Sequence, residues 1–187
     1  MGTRGLWGFY KNGINKLTYN HFDSYPSYLG KTVVTFVKHT SIEELNQIFE
    51  KIILIDEFST PTEEQIKECE KYSDLTPSDK RITDWYCLLR DTQGNPDLYK
   101  SDLRFMINSN DFITDSLFCE WAYIINLTDN VLEVYKGVRK RPNSKNNRHR
   151  LEKPKNKYYA CEKIIEFPLN KIEDNWQLLI NKQIKKA

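Results

Sequence analysis

The chain has 187 residues, 13% of them aromatic and 29% charged, with a formal net charge of +2. A chain of that length supports one domain with a sizeable core, burying roughly 70% of its unfolded surface. No run approaches the ~18 apolar residues of a membrane-crossing helix, and the opening MGTRGLWGFYKNG has no uninterrupted apolar stretch and no small-residue cleavage site. Leu6 also stands where a myristoylation pattern wants Ser or Thr, so a cytoplasmic protein without a membrane anchor is expected. Cys69, Cys87, Cys119 and Cys161 form no CxxC pair. That spacing argues against zinc-ribbon and thioredoxin-like chemistry and for reduced, buried thiols.

In chain order, Thr3 to Tyr10 and Ile14 to Phe22 flank an Asn12-Gly13 turn and predict a β-hairpin. Asp23 to Pro26 breaks the second strand, because proline donates no ladder hydrogen bond. Lys31 to Lys38 is β-branched and apolar, which suits a strand by composition and equally a buried helix. Ser41-Ile-Glu-Glu44 has capping-box spacing ahead of a helical pattern through Ile52. Thr60-Pro61-Thr62-Glu63 combines cap, N1 proline and N3 glutamate for a mostly polar second helix. A third helix is expected from Thr76-Pro77-Ser78-Asp79, with Ile82, Trp85, Leu88 and Leu89 as its stripe and Gly94 as its C′ residue.

Residues 95–116 read as irregular or weakly helical. Leu117 to Leu127 and Val131 to Lys136 predict a second hairpin around Thr128-Asp129-Asn130. Tyr158 to Phe167 gives another strand, and Asn175 to Lys186 a closing helix. Strands at both ends with helices between predict an α+β fold: a single layered domain, an antiparallel sheet with helices packed on it. Lys136 to Lys157 stands apart. It holds ten Lys or Arg against one acid, a net +9 that leaves about −7 for the rest. With no apolar period, it reads as a flexible loop inserted between two strands.

The stretch TYNHFDSYPSYLG, Thr18 to Gly30, is the densest candidate site. His21 and Asp23, two apart, share a face if the strand continues that far, and an imidazole beside a carboxylate suits a general base with its orienting acid. They are the candidate catalytic pair. With only three histidines in the chain, a His-rich zinc site is not expected, nor any other metal or cofactor. Arg4, at the start of the first strand, would attract an anionic group. Tyr19, Tyr25 and Tyr28 offer rings and hydroxyls, and Glu120 and Tyr123 lie in an otherwise apolar strand, where a carboxylate needs a partner or a polar pocket. P-loop, Rossmann, kinase, GxSxG and HExxH spacings are absent.

MGTRG, LTYNHFDSYPSYLG, DWYCLLRDTQGN and SLFCEWAYIINLTDNVLEVYKG, taken in order, resemble an uncharacterised family found in bacteria, phages and some fungi. The resemblance covers residues 1 to about 137 and implies no particular activity. The first hairpin is loosely similar to N-terminal nucleophile hydrolases, yet Gly2 follows Met1 and has no nucleophilic side chain. Three functions remain from this reading. One is a small-ligand site, anionic or nucleotide-like, binding or hydrolytic, at the Tyr19 to Gly30 corner. The second is a nucleic-acid or acidic-partner module acting through Arg139, Lys140, Arg141, Lys145, Arg148 and Arg150. The third is an inhibitor or accessory protein acting through a surface, suggested by the phage members.

Overall fold

A computed structural model describes residues 2–76 and 83–185. The opening hairpin forms as the turn chemistry predicts. β1 (Gly5–Lys11) and β2 (Ile14–Asn20) are antiparallel, with Asn12 at φ 47° and Gly13 at φ 87°, the left-handed pair of a two-residue turn. Residues 26–30 then make one wide helical turn that runs into α1 (Lys31–Lys38). The undecided β-branched run is therefore a helix. Val33, Val34, Phe36 and Val37 are buried along one face, so tertiary burial overrides the weak strand preference of valine and threonine.

In α2 (Ile42–Lys51) the Ser41 hydroxyl accepts from the Glu44 N–H at 3.1 Å, as the capping pattern predicts. β3 (Ile53–Ile55) follows. α3 (Glu63–Cys69) starts two residues later than expected. Thr62 caps it, and its hydroxyl and the Gln65 side chain close a reciprocal box. The expected start of the third helix at Pro77–Asp79, and Ile82 in its stripe, lie outside the described residues. What is described is one short turn, α4 (Trp85–Leu88), capped by Asp84 and followed by tighter turns to Gly94 at φ 68°. β4 (Phe105–Ile107) lies inside the stretch read as irregular, and pairs parallel to β3. β5 (Trp121–Asn126), β6 (Val131–Lys136), β7 (Glu162–Pro168) and α5 (Trp176–Ile184) complete the order.

The main sheet runs β2-β1-β5-β6-β7. Three of its four neighbouring pairs are antiparallel, and the fourth, β1 with β5, is parallel. The fold is α+β, mostly antiparallel, as expected. Side-chain alternation sorts two cores. Trp7, Phe9, Tyr123, Ile125, Leu132 and Val134 face the helices, whereas Leu6, Leu17, Ala122, Ile124 and Tyr135 face the other way with Cys119 and Cys161. All four cysteines are buried free thiols.

The second face is covered by the turn at 110–114 and by the basic segment, which is anchored rather than merely solvated. Glu133, in β6 with its side chain 2% exposed, receives a two-pronged contact from Arg148. It also accepts from Asn126 at 3.1 Å and Tyr135 at 3.1 Å. The buried Asn143 and Asn147 amides donate to the carbonyls of Ala160 and Cys161, and both reach Glu162. Arg148 lies over the rings of Tyr10 and Tyr135. Burial alone would raise the Glu133 carboxyl, but Arg148, Asn126 and Lys163 together hold it below the usual range.

Candidate functional site

The corner after β2 hangs on Ser24, which is fully buried. Its N–H donates to the Thr3 carbonyl at 2.9 Å, its hydroxyl accepts from Asn20 at 2.9 Å, and its carbonyl accepts from the Tyr123 hydroxyl at 3.1 Å. The close seat is possible because Gly5 has no side chain: a Cβ there would come within 2.6 Å of Ser24 Cβ and 2.5 Å of the Trp121 carbonyl. With Asn20 and Ser24 pinned, His21, Phe22 and Asp23 arch outward between them. Asp23 takes φ 45° and its carbonyl accepts from the Leu29 N–H at 3.2 Å.

That arch separates the expected catalytic pair. β2 ends at Asn20, so the two-residue alternation stops before His21. His21 bonds Tyr19 instead, with the hydroxyl 2.8 Å from Nδ1, and Asp23 opens into a different cleft. The first cleft, about 540 Å³, is lined by Gly2, Arg4, His21, Phe22, Phe118 and Glu120 among others. The second, about 450 Å³, is lined by Asn20, Asp23, Tyr28, Arg90, Asp91 and Gln93 among others. Phe22, more than half exposed, borders both. Its ring meets His21 edge to face at 4.4 Å between centroids.

Arg4 and Arg90 bracket this arch. Arg4 lies over the Phe118 ring. Arg90 lies over Phe22 and Tyr86 and donates to the Tyr86 hydroxyl at 2.5 Å and to Gln93 Oε1 at 3.2 Å. The same Gln93 oxygen accepts from the His21 N–H at 3.2 Å, which ties the α4 region to the corner. Among the described residues neither guanidinium forms an ion pair. His21 is held below its ordinary value by burial first, then by the charges of Arg90 and Arg4. Burial pushes the Tyr19 phenol up, and the two arginines oppose that. The imidazole is thus neutral at neutral pH and flanked by two cations.

The other predicted residues divide. Tyr28 lines the second cleft, and Tyr25 is exposed beside it with ring centroids 6.4 Å apart. Tyr19 is half-buried against Phe112. Glu120 precedes β5, half-buried, and lines the Arg4 cleft; the fully buried strand carboxylate is Glu133, one hairpin further on. Tyr123 is completely buried and its hydroxyl serves Ser24, so it is part of the corner's foundation and does not line the cleft. Of the basic residues, Arg148 is committed to Glu133, Arg139 donates to the Arg141 and Pro142 carbonyls, and Arg150 pairs with Glu152. Lys140 lies over the Tyr158 ring, while Lys145 stands exposed.

The sequence placed Arg90 on the third helix, as one candidate partner for Glu120, and Gln93 beside the helix cap, serving the turn; it gave no site role to Phe22, Tyr86 or Phe118. Tyr86 and Arg90 sit four apart, a spacing that puts them on one face, but nothing local shows that this face meets the corner. Among the described residues no group of three or more His, Cys, Asp or Glu is placed to hold a metal ion, and no helix is long and apolar enough to cross a membrane. No protein-family model, curated protein or solved structure matches the chain.

Proposed function

We propose that the protein binds a small anionic ligand at the corner, its phosphate or carboxylate held between Arg4, His21 and Arg90. One observation carries this reading: two guanidiniums without carboxylate partners among the described residues flank an imidazole that they and burial keep neutral. Unpaired arginines at a half-buried site supply the forked donors that such groups accept. Asp23 and Asp91 at the second cleft suit hydroxyl or amine donors on the rest of the ligand, and exposed Phe22, Tyr25 and Tyr28 suit a ring. Sugar phosphates and nucleotides combine these features.

The hydrolytic variant of this reading gives His21 a proton-transfer role. Its Nδ1 is engaged by Tyr19, which leaves Nε2 for the ligand or a water. Among the described residues no serine, threonine or cysteine side chain bonds His21, so water would be the attacking group. Calorimetric titration with inorganic phosphate, a sugar phosphate and a nucleoside monophosphate tests the binding claim. At least one should bind, and Arg4→Ala or Arg90→Ala should weaken it by roughly tenfold or more. No binding by any of them, or variants that bind as the wild type does, would overturn it.

A further inference from the structure

The anchored basic segment, 136–157, presents a second and separate surface. It holds ten cations and a single acid, and among the described residues two carboxylates from outside it, Glu133 and Glu162, bond it by side-chain contacts. Those two are spent on Arg148 and on the buried asparagines and Ser144, that is, on the side facing the sheet. The outward side keeps its charge. Lys140, Lys145, Lys153 and Lys157 are exposed, and none has a carboxylate partner among the described residues. A segment serving only to cover the second core would be expected to carry both signs; here the acids sit elsewhere in the chain, which sums to about −7 without it.

We infer that this face is a docking surface for the phosphate backbone of a nucleic acid. The partner class follows from what the face lacks. A protein interface depends on buried aromatic or aliphatic anchors at its centre. Within the segment the large apolar side chain that stands exposed is Val138, 45% exposed, so an acidic protein would find charge and no anchor. A membrane surface would likewise find nothing to insert. A phosphate backbone binds through charge alone, by releasing its counterions. The Arg148–Glu133 clamp and the asparagine bonds hold the segment in one shape, which lowers the ordering cost that a free basic tail would incur on binding.

Fluorescence anisotropy with labelled single-stranded and duplex DNA of about 20 nucleotides, at about 50 and about 200 mM salt, tests this. Wild type should bind at the lower salt and lose roughly tenfold or more at the higher. Lys140→Glu/Lys145→Glu/Lys153→Glu should weaken binding by roughly thirtyfold or more and flatten the salt dependence. A control, Lys31→Glu/Lys67→Glu/Lys182→Glu, changes net charge equally at exposed sites outside the segment and should stay within about threefold. Circular dichroism confirms that each variant is folded. Absence of binding at the lower salt, equal losses in the two triple variants, or equally tight binding of poly-glutamate would overturn the inference.

Discussion

Arg148 and Arg4 carry the same group and end in opposite situations. Arg148 grips a carboxylate that is itself buried in the sheet and fully hydrogen-bonded. Arg4, with Arg90, rests on aromatic rings beside a neutral imidazole and has no acidic partner among the described residues. A charge whose counter-ion lies within the fold contributes to structure, whereas a charge left facing a cleft stands ready for a ligand. The difference between the two regions is measurable, because breaking the first should cost stability and breaking the second should cost binding.

The largest effect is expected at the clamp. Glu133→Ala leaves Arg148 half-buried without its partner and should destabilise the protein by about 3 kcal/mol in chemical denaturation. Lys163, 3.5 Å from Glu133, has Glu166 as a second partner and does not replace the lost contact for Arg148. Gly5→Ala drives a methyl into the Trp121 carbonyl and Ser24, and should cost roughly 2 kcal/mol while also disturbing the corner. Arg4→Ala and Arg90→Ala should change stability by less than about 1 kcal/mol, the range of partly solvated charges, although ligand affinity falls. A loss of stability at Arg4 as large as that at Glu133 would erase the contrast.

His149 sharpens the comparison through pH. Its Nε2 is buried without a hydrogen-bond partner among the described residues, and burial, then Arg148, push its pKa to about 4 against an ordinary 6.5. The folded state therefore prefers the neutral ring. Its contribution to stability is complete above pH 6.5, declines as pH falls toward about 4, and changes no further below that. Urea midpoints across this window should fall more steeply for wild type than for His149→Gln. Matching slopes would mean that the ring is not sealed beneath the segment.

Much of the fold was legible because its signals are local. The Asn12-Gly13 and Thr128–Asn130 turns, the Ser41 cap and the terminal strands all act over a few residues. The parallel union of β1 with β5 was not, since it joins segments more than a hundred residues apart with no local mark. Lys31–Lys38 resisted because its strand-like composition competes with a buried helical face that only the tertiary structure reveals. At the site, the crowding of Tyr19 to Gly30 was visible. The split of His21 from Asp23 was hidden, because it depends on Ser24 being drawn beneath the sheet edge by Thr3 and Tyr123. Nothing local marks Glu133 as buried, because its burial depends on the basic segment lying over it.

The histidine at the corner reports most directly on whether two cations with no ion-pair partner among the described residues flank a neutral ring. Its titration, followed by NMR with and without inorganic phosphate, should show a pKa below 6.5 in the protein alone and a clear rise when phosphate is added. In the Arg4→Ala/Arg90→Ala protein the starting value should be higher and phosphate should leave it unmoved. A His21 that titrates at or above 6.5 in the wild type, or whose pKa ignores phosphate, would contradict the account.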